Sequence, residues 1–331
     1  PNVIKRNILE NPGWYTAYTP YQAEIAQGRM EALINYQTMV TDLTGMEISN
    51  ASLLDEGTAA SEAMTMFFRV RKGPKKNAFK FFVSNKIFPQ TIELLKTRSE
   101  PLGIELVIDE LDKFNFGDDY FGALFQYPDN DGNIVDLSSY LEKARSKSIF
   151  TCVASDLMSL VLLKSPGEMG ADAVVGNSQR FGVPMGYGGP HAAFYATKEE
   201  FKRHIPGRII GVSVDSAGNN AYRMALQTRE QHIKRDRATS NICTAQVLLS
   251  VMAGMYAVYH GKDGLIKIAT KIATLTQLLE NGISSLDYNQ ENENFFDTVK
   301  IRVSSEDKNK IKKLAEKNHL NFRYFETDHI G

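Results

Sequence analysis

Phe79-Lys80-Phe81-Phe82-Val83, then Pro89-Gln90-Thr91-Ile92-Glu93-Leu94-Leu95-Lys96-Thr97-Arg98, then Glu105-Leu106-Val107-Ile108, is the stretch that decides the fold. The outer two runs are short, apolar and rich in β-branched and aromatic residues, as strands are. The middle run has helical spacing and opens on a proline. Downstream the alternation continues: a strand at Ala123 to Tyr127, ended by Pro128-Asp129-Asn130-Asp131-Gly132, a helix at Leu137 to Lys147, and a strand at Ile149 to Ala154. Met158 to Leu163 and Ala173 to Val175 carry it on, and Ala192 to Ala196 adds one more strand. Strands separated by helices need crossover connections, so the pattern predicts an α/β fold with a mostly parallel sheet and helices on both faces.

Upstream, helical patterns run over Tyr21 to Thr44, with Gly45 as the stop, and from Asp55 to Arg69. Thr197 to His204 reads as a polar helix, and Ala245 to Leu279 as a long one interrupted near Gly261. Thr298 to Val303, Glu306 to Asn318 and Asn321 to Phe325 read as strand, helix and strand. This divides the chain into an aromatic amino-terminal segment and helix (1–50), a large α/β unit (51–245), connecting helices (246–290) and the start of a truncated small α/β domain (291–331). The chain opens on Pro1 and stops at Gly331, directly after a strand-like run, so it is expected to be a piece of a longer protein.

Composition excludes several classes. Thirty-eight Lys and Arg against 39 Asp and Glu leave a net charge of −1, too little field to gather nucleic acid or anionic lipid. The longest apolar runs, such as Ser250 to Tyr259, are far short of the roughly 20 residues that span a bilayer. Two cysteines, Cys152 and Cys243, form neither a CxxC pair nor a disulfide framework. A reducing, cytoplasmic setting is therefore the expectation, with no metal centre.

Several segments carry chemistry or its alternatives. In Leu53-Leu54-Asp55-Glu56-Gly57-Thr58-Ala59-Ala60, small residues open a helix whose free N–H groups suit an anion; taken alone, an ordinary N-cap with a tight turn is the better reading. Asp156, just past an apolar strand, stands where such sheets place ligand-binding groups. It suits the protonated ring nitrogen of a pyridine cofactor, or simply caps the next turn. Gly176 to His191 is glycine-rich without dinucleotide-binding spacing, and His191 is either a general base or structural. Thr239-Ser240-Asn241 reads first as a cap. Trp14, Tyr15, Tyr18 and Tyr21 crowd a Pro- and Gly-punctuated segment, and aromatics this dense should lie under protein.

Four of these runs together resemble the glycine decarboxylase family, the P-protein of the glycine cleavage system. They are Asn7 to Glu24, which contains Asn11-Pro12-Gly13-Trp14-Tyr15 and Tyr18-Thr19-Pro20-Tyr21-Gln22, then Leu53 to Ala60, Gln179 to His191, and Arg229-Glu230-Gln231-His232 through Thr239-Ser240-Asn241-Ile242-Cys243-Thr244. The resemblance covers nearly the whole chain and corresponds to the amino-terminal half of that enzyme. It implies the pyridoxal-phosphate enzyme fold of the aspartate aminotransferase type. It also implies an oxidoreductase of glycine catabolism that decarboxylates glycine and passes the aminomethyl group to the lipoyl arm of the H-protein.

One departure bears on mechanism. Such enzymes hold the cofactor as a Schiff base on a lysine that follows the sheet and precedes a Gly-rich turn. Here that place holds Gln179, and no lysine occurs from Ser165 to Thr197. An amide forms no imine, so this half is expected to bind no covalent cofactor and to be inactive alone, pyridoxal phosphate belonging to the complete enzyme. By the same resemblance, Glu56, Gly57, Thr58, Asp156, Gln179 and His191 form a vestigial pocket. Tyr18, Thr19, Tyr21 and Gln22, with Thr239, Ser240 and Asn241, are the candidates for reaching the site of a catalytic half. The alternative is a non-catalytic scaffold or small-anion-binding protein on the same degenerate fold.

Overall fold

The computed structural model of the chain describes residues 2–16, 19–238, 242 and 246–331. Its central sheet has seven strands: β1 (Ile48–Ser49), β2 (Lys80–Ser84), β3 (Glu105–Asp109), β4 (Tyr120–Tyr127), β5 (Phe150–Ser155), β6 (Ala173–Asn177) and β7 (Ala193–Thr197), in the spatial order β1-β7-β6-β5-β4-β2-β3. The β3-β2, β2-β4, β4-β5 and β5-β6 pairs are parallel, while β7 runs antiparallel to both β6 and β1. The mostly parallel α/β architecture expected from the sequence is the one found.

Helices α1 (Asn2–Ile8), α2 (Gln27–Thr44), α3 (Glu56–Val70), α4 (Pro89–Ser99), α5 (Ser138–Ser146) and α6 (Pro166–Met169) precede or alternate with these strands, and α7 (Gln231–Lys234), α8 (Val247–Ser284) and α9 (Ser305–Lys317) follow them. Alternate side chains of each strand enter opposite cores. Phe82, Phe125, Val153 and Val174 pack toward α2 and α8, whereas Phe81, Val83, Leu124, Ala154 and Val175 pack toward α3. A strand buried on both faces reads as a nearly continuous apolar run, which is why β4 and β5 look as they do in sequence. Each fully buried Phe, Leu or Met contributes on the order of 1.5–3 kcal/mol, so the helical layers on both faces hold the sheet in place. α2 stops at Gly45, whose φ of +69° lies in the left-handed region.

Several expectations need correction. The helix expected over Tyr21 to Thr44 begins at Gln27, because Ala23–Ile25 forms only a 3₁₀ turn. Thr197 to His204 is not a helix but a strand end and the 3₁₀ turn Glu199–Phe201. A hairpin of β8 (Ile209–Val214) and β9 (Asn220–Ala225) forms a separate antiparallel pair that the sequence reading passed over. In the tail, β10 (Asn289–Gln290), β11 (Ile301–Arg302) and β12 (His329–Ile330) form a small antiparallel sheet. Asn321 to Phe325, expected as the last strand, adds only a single antiparallel bridge, Tyr324 to Ile330, on the outer side of β12. The expected interruption of the long helix is present at Gly261.

Candidate functional site

The parallel strands β4, β5 and β6 end side by side, and crossover sheets place their ligand-binding crevices at such ends. Here the ends frame a cleft of about 250 Å³, lined by Glu56, Gln126, Asp129, Asp156, Asn177, Gln179, Arg180 and Asp297 among others. Each side chain is carried there by a distinct element. Glu56 is the first residue of α3, Gln126 lies near the end of β4, Asp156 follows β5, and Asn177 closes β6. Gly176 is fixed by close approach: a Cβ there would lie 2.2 Å from the Ser155 carbonyl oxygen, so only glycine lets β6 reach β5 at this edge. Glu56, Asp156 and Gln179, predicted from sequence to share a pocket, are brought together.

Asp156 borders the cleft and is met there by the Arg180 guanidinium at 2.5 Å. Arg180 also binds Asp297 of the loop before β11 at 2.7 Å, so one arginine ties the strand ends to the small sheet. Asp156 accepts further hydrogen bonds from the backbone N–H of Met158 (3.1 Å) and Ser159 (3.3 Å), so it is a turn cap as well. Burial raises its pKa and Arg180 works against that rise. A second tie lies beside it, where Asp131 pairs with Lys86 at 2.7 Å and with Lys300 at 3.1 Å.

The α3 N-terminus is occupied from within: the Asp55 carboxylate accepts the Thr58 N–H at 2.7 Å. Gly57 packs against α4, where a Cβ would come 3.0 Å from Leu94. Neither Gly57 nor Thr58 lines the cleft. Glu56 is only 8% exposed; its Oε2 accepts a hydrogen bond from the Asn177 side-chain amide at 3.3 Å, while its Oε1 has no partner among the described residues. Burial pushes its pKa up to about 7; the Asn177 and Gln126 side chains oppose the rise by hydrogen bonding, and nearby Asp156 and Asp55 add to it. Gln179 lines the cleft and donates from its amide to the Pro190 carbonyl at 3.4 Å. His191 is half-buried away from the cleft, with Nδ1 unpartnered among the described residues. A larger hollow of about 500 Å³, lined by Arg69, Arg203, His204 and Lys234, lies toward the other end of α3 from Glu56.

A second group forms around the amino-terminal aromatics. Trp14 and Tyr21 pack on the core as expected, but Tyr15 is 70% exposed. The Arg208 guanidinium donates to the Tyr21 hydroxyl at 2.9 Å, and Arg208 pairs with Glu230 at 3.0 Å. His232 Nδ1 lies 3.4 Å from the same Glu230 carboxylate. Tyr21, Arg208, Gln231 and His232 line an opening of about 440 Å³, joining two segments that are about two hundred residues apart in sequence. Gln22 is exposed, whereas Thr19 is buried and helps hold the segment in place. Tyr18, Thr239, Ser240 and Asn241, and likewise Cys243, lie outside the described residues.

Sequence reasoning missed Arg180, Asp297 and the Arg208–Glu230 pair. Arg180 adjoins Gln179 in the segment searched for a lysine, but its reach to Asp156 and Asp297 is tertiary. Because Arg180 is the shared counter-charge, Arg180→Met should lower stability by about 1–2 kcal/mol, the pairs being partly exposed. Urea denaturation at pH 7 measures this, and Asp297→Asn should cost less, since Asp156 keeps its arginine.

The family model of the glycine cleavage system P-protein matches residues 1–331. Relatives named glycine dehydrogenase (decarboxylating) from Christiangramia forsetii and Flavobacterium johnsoniae are 59% and 58% identical over 98% and 100% of this chain. The chain covers 34% and 35% of their lengths, about a third. A crystal structure of glycine decarboxylase, the P-protein of the glycine cleavage system, in inhibitor-bound form is similar with a TM-score of 0.89 and 31% identity, covering 97% of this chain and 74% of that one. An aspartate aminotransferase from Thermus thermophilus matches at 13% identity and a TM-score of 0.65, covering 99% of this chain and 88% of that one, a likeness of fold alone.

Proposed function

The chain belongs to the glycine cleavage system P-protein family, and from that membership we propose that it is the amino-terminal, lysine-lacking half of a glycine decarboxylase, working in the cytoplasm and pairing with a catalytic half whose site it completes. Glycine is the substrate of the pair and the lipoylated H-protein the acceptor of the aminomethyl group. The observation that carries the non-catalytic role is Arg180 seated on Asp156.

Pyridoxal phosphate does not fit this chain's own cleft. Gln179 offers an amide where an amine is required, and Asp156 already answers a guanidinium. The first turn of α3 presents Asp55 and Glu56 where a phosphate would seek free N–H groups. In the complete enzyme the cofactor, carried by the catalytic half, supplies the electron sink for the carbanion left by CO2 loss. This chain's part is positional. Glu230 orients the His232 ring and the Arg208 guanidinium, Arg208 holds the Tyr21 hydroxyl, and exposed Gln22 extends from the same segment. Tyr15 and Ile25, 70% and 75% exposed, flank that segment and give a partner apolar surface to cover.

Two measurements test the reading. Borohydride reduction of the chain with pyridoxal phosphate, followed by peptide mapping, should give no stoichiometric adduct; one modified lysine per chain would refute the role. Decarboxylation of glycine with lipoylated H-protein should need both halves, and Tyr21→Ala or His232→Ala in this half should lower kcat of the pair roughly tenfold or more, the range typical for positioning groups. Turnover by this chain alone would equally overturn it.

A further inference from the structure

Between β6 and β7 the chain makes a glycine-rich loop whose tip lines neither the cleft nor the Tyr21 opening. Its two ends are clamped. The Ser178 backbone N–H donates to the Ala192 carbonyl at 2.8 Å, and the Ser178 hydroxyl donates to the same oxygen at 2.7 Å. Both residues are fully buried. From that rigid base the loop runs out to an exposed tip, where Met185 is 77% exposed and Tyr187 fully so.

The tip is a tight turn. Gly186 and Tyr187 have φ of +46° and +59°, and the Gly188 N–H donates to the Met185 carbonyl at 3.2 Å. Two positive φ values inside such a hydrogen bond mark a type I′ turn, whose centre is the province of glycine, asparagine and aspartate. Tyr187 is held there at a backbone cost while its ring stays in water. Aromatic residues and methionine are enriched where proteins meet, and a tip already shaped by its turn loses little entropy on binding.

The direction of the loop says what covers it. It leaves the end of β6 and returns into β7, so it stands on the side of the sheet that carries the cleft. The Tyr21 opening is on that side too. The Leu53 N–H donates to the carbonyl of Ala193, where the loop re-enters the sheet, and the Ala51 N–H donates to the Arg208 carbonyl, both at 2.7 Å. A body seated on Tyr21 and His232 therefore faces the loop as well. This chain spans 34% and 35% of two relatives, so about two-thirds of such a protein is available to cover the tip.

We propose that the loop from Pro184 to Pro190 is an anchor for the catalytic half, which buries the Met185 and Tyr187 side chains when the halves pair. This rests on the pairing proposed above and names one of its contacts.

Co-expressed with its catalytic half, the chain is purified as the pair, and sedimentation velocity on dilution gives the pairing constant. Tyr187→Gly removes the ring and the unfavourable φ together. Its thermal unfolding midpoint should therefore equal or exceed the parent's while pairing weakens roughly tenfold or more. Tyr187→Phe should pair like the parent, and hydrogen exchange of the amides of residues 185–188 should slow in the pair relative to the chain alone. A parent chain that does not pair would remove both the pairing and the anchor. A parent that pairs, with Tyr187→Gly pairing equally well, would leave the pairing standing and overturn the anchor alone. A dimer of this chain by itself that Tyr187→Gly dissolves would also overturn it, the tip then belonging to a second copy.

Discussion

Glu56→Gln should stabilise the chain by about 2–3 kcal/mol at pH 8 and change it little at pH 5. Burial holds this carboxyl at a pKa of about 7, against an ordinary value of 4.5. The folded chain thus binds the Glu56 proton more tightly than the unfolded one. With respect to this group, stability is full below about pH 4.5 and is lost as pH rises through about 7. Each unit of difference is worth 1.36 kcal/mol, so the loss at pH 8 is on the order of 3 kcal/mol. Glutamine keeps the shape and removes the charge that must be desolvated. Its amide also gains an acceptor, since Gln126 Oε1 is free among the described residues.

The groups facing Glu56 all bear on the sign. Asp55 lies on its own turn, Gln126 and Asp129 come from the end of β4, Asp156 from the end of β5, Asn177 and Arg180 from β6 and its loop, and Asp297 from the small sheet. Arg180 is committed to two carboxylates, so it does little for a third. Urea denaturation of parent and variant at pH 5 and pH 8 measures the effect. Equal differences at the two pH values would mean that Glu56 ionises as if in water.

Which parts were legible in the chain follows from where the information lies. β2, α4 and β3 announce themselves because both faces of the strands are buried and a proline opens the helix. α3 was readable from its cap, Asp55, three residues before the N–H it accepts. The β8–β9 hairpin was not, because its apolar residues do not alternate cleanly: Ile209 and Ile210 are both buried, whereas Val212 and Val214 face solvent. α1 carries only Ile4 and Ile8 as its buried stripe, too few to show a period. The last strand was misplaced because two-residue strands are set by their pairing with β11, a partner nearly thirty residues away.

For the site, absence was easier to read than replacement. That Gln179 cannot anchor a cofactor follows from its functional group alone. That Arg180 stands in front of Asp156, and that Asp297 joins them, depends on how the small sheet sits over the strand ends. Local sequence holds no trace of such a contact. The resident cation nevertheless explains the fate of Asp156: a buried carboxylate needs a counter-charge whether or not a pyridine supplies it.

Glu230→Gln should lower stability by roughly 3–5 kcal/mol at neutral pH, the largest loss expected from any isosteric change near the Tyr21 opening. Glu230 is 3% exposed and faces two buried arginines, Arg208 at 7% and Arg229 at 5%. Arg229 spends its donors on the backbone carbonyls of Ile205 and Gly207, and burial lowers its pKa to about 10, with Glu230 opposing the fall. Arg208 binds Glu230 directly at 3.0 Å and reaches on to the Tyr21 hydroxyl. Neutralising Glu230 leaves two desolvated guanidiniums without a compensating charge, which costs more than the lost ion pair itself. Glu230→Asp keeps the charge at shorter reach and should lose about half as much. Because His232 and Tyr21 both depend on this carboxylate, Tyr21→Phe should cost about 1 kcal/mol in the parent and almost nothing in Glu230→Gln. Urea unfolding of the four chains in that cycle measures the coupling; a Glu230→Gln chain within 1 kcal/mol of the parent, or costs that simply add, would show that the opening is not held by its buried acid.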